Sequence, residues 1–176
     1  MAEELIPDYH SSREKMHLMQ LRLAESDDAS AIATVLLKSF VEYKALYTDE
    51  GFAATTPTGQ EILERLKEGP IWLAVQEGEI VGTASAVLKG DSLYIRGMAV
   101  LPAARGRRVG ELLLRQLEGY GIENNCRRLF LSTTPFLDRA IHLYELFGFV
   151  RTNEGPHALF GTPLFTMEKL ISSKWR

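Results

Sequence analysis

The chain has 176 residues, 45% of them apolar and 24% charged, which is enough to build the core of one globular domain. A net charge of −3 argues against a nucleic-acid coat or an anionic membrane surface as partner, and no stretch approaches the ~20 apolar residues of a membrane span. A single cysteine, Cys126, excludes an internal disulfide framework and a cysteine-built metal cluster.

Residues 1–16 show no period and carry Pro7 among several charges, so they are expected to form an arm ahead of a domain spanning 17–176. No apolar stretch follows the N-terminal charges, so a secretory signal is not expected. "HLMQLRLA" alternates as a first strand. "ESDDASAIATVLLKSF" opens with cap-type residues and places Ile32, Val35, Leu36 and Phe40 at helical spacing. Residues 41–57 are less regular. Thr58 and Glu61 then fit a capping box for a second helix carrying Ile62, Leu63 and Leu66, which Gly69-Pro70 ends.

Three strand-like runs follow, "IWLAVQ", "IVGTASAVL" and "SLYIRGMAV", separated by the turn-type segments "EGE" and "KGD". They predict an antiparallel meander that Pro102 helps to end. A long helix starts near Val109, with Val109, Leu112, Leu113 and Leu117 on one face. "RRLFLST" is a further strand. "FLDRAIHLYELFGF" is a helix with Ala140, Leu143, Tyr144 and Phe147 on one face, stopped by Gly148. A last hairpin carries a long loop around "EGPHALFGTP". The order β-αα-βββ-α-β-α-ββ predicts one α/β domain, a mixed β-sheet flanked by helices. The strand–helix–strand unit across the long helix predicts a parallel pair with a right-handed crossover.

Between the third meander strand and the long helix, "RGRRVG" places three arginines and two glycines in six residues, 105–110. A helix start exposes unpaired N–H groups and a partial positive charge, the setting in which diphosphates bind. Gly106 and Gly110 allow close backbone approach, and Arg105, Arg107 and Arg108 can add charge-assisted contacts. The same residues also read as a solvated basic turn. No lysine followed by serine or threonine comes after the glycines, so this is not a P-loop.

"MAVLPAARGRRVGELLL" resembles the acyl-CoA-binding motif of the GNAT superfamily of N-acetyltransferases, [Q/R]-x-x-G-x-[G/A]. Arg105 takes its first position and Gly110 its last, while Arg108 replaces the middle glycine. "RAIHLYELFGF" resembles the family's A-x-x-x-Y-x-x-x-G-F segment at Ala140, Tyr144, Gly148 and Phe149. The likeness spans about residues 18 to 170, and the element order is that of the GNAT fold.

The resemblance implies transfer of an acetyl group from acetyl-CoA to a primary amine by direct attack in a ternary complex, without a metal. It implies that Met98, Ala99 and Val100 meet the pantetheine arm and thioester, and that Arg105, Gly106, Arg107, Arg108, Val109, Gly110 and Glu111 take the pyrophosphate. It makes Tyr144 the acid that protonates the leaving thiolate, although its helix face also reads as core packing. Leu137 stands where members of the group often have an asparagine on the pantetheine. The strand region where some members place a glutamate base offers only Tyr94 and Arg96. Glu111, His142 and His157 are the remaining titratable groups nearby, and none is assigned as base.

The acceptor is expected to enter between residues 41–60 and 152–164. Tyr43, Tyr47, Asp49, Glu50 and Phe52 on one side, with Glu154, His157 and Phe160 on the other, suit a cationic amine. A peptide amine or a small-molecule amine fits the resemblance equally. A cytoplasmic location, a homodimer through an exposed sheet edge, and no nucleic-acid or membrane partner complete the expectation. The alternative is a non-catalytic acyl-CoA sensor of the same fold.

Overall fold

The computed structural model describes residues 18–171; the arm expected over 1–16 lies outside the described residues. Seven strands form one sheet in the order β1-β2-β3-β4-β5-β9-β6. They are β1 (Gln20–Leu23), β2 (Ile71–Gln76), β3 (Glu79–Lys89), β4 (Ser92–Val100), β5 (Arg128–Thr133), β6 (Val150–Arg151) and β9 (Phe165–Leu170). All neighbours are antiparallel except β4 and β5, which are parallel across the long helix α4 (Val109–Glu123). Strands β7 (Ala158–Leu159) and β8 (Thr162–Pro163) make a separate small ribbon.

Helices cover both faces of the sheet, and β2 shows why it reads as an unbroken apolar run. Ile71 and Leu73 pack with Ile32, Val35 and Leu36 of α1 (Ala29–Phe40) and Ile62 of α3 (Gly59–Glu68). Trp72 and Ala74 face the other way, into a cluster with Leu113, Leu114 and Leu117 of α4 and Tyr144 of α5 (Asp138–Leu146). Those three leucines are fully buried, each contributing about 1.5–3 kcal/mol relative to exposure. On α4 the buried stripe is Val109, Gly110, Leu113, Leu114, Leu117 and Gly121; Leu112, expected inside, is only half-buried.

The capping box of α3 forms as read. Thr58 Oγ1 accepts from Glu61 N at 3.3 Å, and Glu61 Oε2 accepts from Thr58 N at 2.7 Å. Residues 41–57 are more ordered than their irregular pattern suggests. A 3-10 turn covers Val41–Leu46, and α2 (Asp49–Thr55) starts on Thr48, whose hydroxyl accepts from Gly51 N at 3.0 Å. The loop of the last hairpin carries the β7–β8 ribbon. Among the described residues no helix is long and apolar enough to cross a membrane.

One irregularity in β4 positions everything that follows. Ser85 pairs with Arg96 but Thr83 pairs with Ala99, so β4 holds one extra residue against β3. Gly97 absorbs this bulge at φ +57°, a left-handed conformation that costs an L-side chain on the order of 1–2 kcal/mol. The bulge flips the side-chain alternation. Leu93 and Ile95 before it, and Met98 and Val100 after it, all pack toward α4, whereas Ala99 packs toward α1.

Candidate active site

Strands β4 and β5 pair from Ser92–Arg128 to Tyr94–Phe130 and no further, although they run on to Val100 and Thr133. Beyond Tyr94 each strand has an unpaired edge facing the other. A cavity of about 770 Å³ opens there, between the sheet, the start of α4, α5 and the 3-10 turn. Backbone N–H and C=O groups along such edges require partners, so the gap is a natural place for an extended polar ligand.

All the site residues expected from the sequence line this cavity except Arg107. The arginines have protein partners. Arg105 reaches the end of α1, with Nη1 2.5 Å from Glu42 Oε1 and Nη2 donating to Ser39 O at 3.1 Å. It braces the loop rather than pointing freely at a ligand. Arg107 donates to Gln76 Oε1 on β2 at 3.1 Å, outside the cavity. Arg108 occupies the motif's glycine position at φ +62°, in the left-handed region, and stands at the cap of α4 with no side-chain capping hydrogen bond. Its side chain pairs with Glu111, with Nε–Oε2 at 2.8 Å and Nη2–Oε1 at 2.9 Å.

No side chain caps the start of α4 by a hydrogen bond. The first N–H groups of α4 have no intrahelical acceptor, and Val109, Gly110 and Glu111, which carry them, line the cavity. Glu111 is the acidic residue of that turn. Hydrogen bonds from Arg108 and then Arg115 hold its carboxyl down at about 2, so it is an ionised, doubly paired group and not a base. Gly106 has open space where a Cβ would stand. Gly110 serves close packing instead: a Cβ there would lie 2.6 Å from Leu143 Cδ2.

Tyr144 is 7% exposed, its ring tilted against Phe149 at 5.8 Å, and it lines the cavity. Both readings of this residue, core and cavity wall, are satisfied by one amphipathic side chain. Burial, reinforced by nearby Tyr47, pushes its phenol well above the usual tyrosine range, so it stays protonated at neutral pH. Tyr47 faces it from the other wall, held edge-on to Phe136 at 4.9 Å and Phe52 at 5.9 Å. Burial raises the Tyr47 phenol too, opposed by the Thr134 and Thr55 hydroxyls. Leu137 lies at the cap of α5 and lines the cavity without a capping hydrogen bond.

The expected acidic acceptor wall is absent from the cavity. Asp49, Glu50 and Glu154 do not line it, and Glu154 is paired with Arg128 at 3.1 Å. Glu111 is the one carboxylate among the lining residues. His142 is an exposed lining residue, and His157 lies outside. The side chains to which sequence reasoning gave no role are Arg65 and Arg96, which line the cavity from α3 and β4. A charged residue inside the otherwise apolar run of β4 was the available signal. No group of three or more His, Cys, Asp or Glu among the described residues is placed to hold a metal ion.

The family model described as acetyltransferase (GNAT) family matches residues 15–149. The uncharacterized N-acetyltransferase YjgM of Escherichia coli (strain K12) is 33% identical over 135 residues, covering 73% of this chain and 80% of that protein. Among solved structures, PaiA N-acetyltransferase from Thermoplasma acidophilum, in complex with coenzyme A, superposes with a TM-score of 0.75 at 14% identity, over 88% of this chain and 99% of that one. YncA from Salmonella typhimurium, with its cofactor acetyl-CoA, gives 0.66 at 21% identity, over 88% and 94%.

Proposed function

Since the chain belongs to the GNAT family of acetyltransferases, we propose that it transfers an acetyl group from acetyl-CoA to a primary amine by direct attack within a ternary complex. The observation that carries this reading is the early end of β4–β5 pairing beside an uncapped helix start. The gap offers the strand edge of Met98, Ala99 and Val100 to a pantetheine arm. The N–H groups of residues 106–111 face a diphosphate.

In this reading a backbone N–H of β4 stabilises the oxyanion as the amine adds to the thioester carbonyl. The carbon–sulfur bond then breaks, and the Tyr144 hydroxyl gives its proton to the departing sulfur. Burial keeps that phenol protonated at neutral pH, so a proton is present to be given. The amine loses its own proton to water and water returns one to the Tyr144 phenolate; Glu111, the carboxylate that lines the cavity, is held ionised by two arginines and takes no part. The proposal covers a domain over 17–176 acting in the cytoplasm, where the buried Cys126 stays a thiol, and a homodimer through an edge strand such as β1 or β6.

Release of free thiol from acetyl-CoA against a broad panel of amines tests the reading. Amine-dependent release supports it. Tight acetyl-CoA binding with no release on any amine would instead favour a sensor of the same fold, to which Arg108 and Leu137, the two departures from the family pattern, would then belong.

A further inference from the structure

Arg65 of α3 and Arg96 of β4 are both half-buried, and both line the cavity. They lie close enough that Arg96, after burial itself, lowers the pKa of the Arg65 guanidinium. Two like charges withdrawn from water side by side are costly unless something compensates them. The compensation inside the protein is partial. Glu68, about half exposed, lies 3.0 Å from Arg96 Nη2, and Arg65 Nη2 donates to Ala54 O at 3.2 Å. Arg96 Nε is buried with no hydrogen-bond partner among the described residues. The two guanidinium groups are met directly by one carboxylate and one carbonyl, with the exposed Glu61 carboxylate acting on Arg65 from further away, and Arg96 Nε keeps an unused donor at the wall.

The position gives these guanidinium groups a use. Arg96 precedes Met98 by two residues, with the Gly97 bulge between them. Gly97 keeps the space between them open, since a Cβ there would lie 3.3 Å from Arg65 Nη1. Resting on the acyl-transfer reading above, we infer that Arg65 and Arg96 hold an anionic group, carboxylate or phosphate, on the acceptor. The guanidinium fork matches either group with paired, charge-assisted hydrogen bonds. The acceptor is therefore an amine that carries an acid close to its nitrogen, in contrast to the cationic amine that loop composition suggested.

The test compares matched acceptors in the thiol-release assay: an amino acid, its neutral amide, the corresponding amino-phosphate and a polyamine. The carboxylate or the phosphate acceptor is expected to exceed the amide in kcat/KM by at least about tenfold, and the better of the two identifies the anion. Arg65→Gln and Arg96→Gln are each expected to raise the KM of that acceptor about tenfold, with the KM of acetyl-CoA unchanged. Arg65→Lys, which keeps the charge, should restore part of the loss and serves as the variant if either glutamine form fails to fold. Equal use of the amide, preference for the polyamine, or an unmoved acceptor KM in these variants would overturn the inference.

A second measurement separates its failure from failure of the acyl-transfer reading. Calorimetry of succinate and of inorganic phosphate on the intact protein needs no turnover. Binding that Arg96→Gln abolishes supports the anion site even if no amine releases thiol. Absence of binding by either anion overturns the site even if neutral amines are acetylated.

Discussion

Arg108 and Glu111 close a two-point ion pair across the first turn of α4, with Nε–Oε2 at 2.8 Å and Nη2–Oε1 at 2.9 Å. The pair holds the arginine that replaces a motif glycine against the first turn of the helix and supplies a local partner for a residue at φ +62°. Glu111 also receives Arg115 Nη2 at 2.8 Å, so one carboxylate organises two cations beside the candidate diphosphate site.

Arg108→Gly should raise the unfolding midpoint by about 2–4 °C, because glycine adopts the left-handed region without the cost an L-side chain bears there. The affinity for acetyl-CoA should be retained, since the helix N–H groups are unchanged. Thermal unfolding with and without acetyl-CoA checks both. A lower midpoint would mean that the ion pair outweighs the backbone strain.

Glu111→Gln should be less stable than the natural protein at neutral pH, with the difference closing in acid. The carboxyl is held at about 2 against an ordinary value of 4.5, so its contribution is complete above 4.5 and is lost as pH falls through 2. Unfolding midpoints of the two proteins across pH 7 to 2 measure this. A gap that stayed constant down to pH 2 would contradict it.

Tyr144→Phe should keep acetyl-CoA affinity and lower turnover by about 10²- to 10⁴-fold, the range for a positioned acid. The ring and its contact with Phe149 survive the change, so stability should hold. Equal turnover in single-turnover kinetics would remove Tyr144 from the mechanism.

Gly97→Ala should destabilise the protein by about 1–2 kcal/mol through the left-handed backbone of the bulge. The new methyl would also meet Arg65 Nη1 at 3.3 Å, so the acceptor KM should rise more than that of acetyl-CoA. Chemical denaturation and the two KM values report these effects independently.

Much of the fold was legible because it is locally encoded. The meander of β2, β3 and β4 follows from apolar runs broken by Glu77-Gly78 and Gly90-Asp91, and Thr58 with Glu61 marks the start of α3 by side-chain chemistry alone. Helix α2 had a readable signal in Thr48 followed by Asp49 and Glu50, but its short length hid it among aromatic residues.

The parts of the site that were not legible depend on partners distant in sequence. The opening between β4 and β5 comes from a register shift against β3, which no residue of β4 announces except Gly97. Arg105 reads as a phosphate ligand in the sequence, and its contacts to Glu42 and Ser39 come from residues more than sixty positions away. Loop composition suggested an acidic wall, yet Glu154 turns to Arg128 while Arg65 and Arg96 face the cavity. Residue types can name a chemistry, but which way a side chain turns is decided by tertiary packing.

Where the coenzyme lies is measured directly by a crystal structure of the protein with acetyl-CoA. It should place the diphosphate within hydrogen-bond distance of the backbone N–H groups of residues 106–111, with the thioester between β4 and β5 beside Tyr144. A diphosphate bound anywhere else on the chain would contradict it.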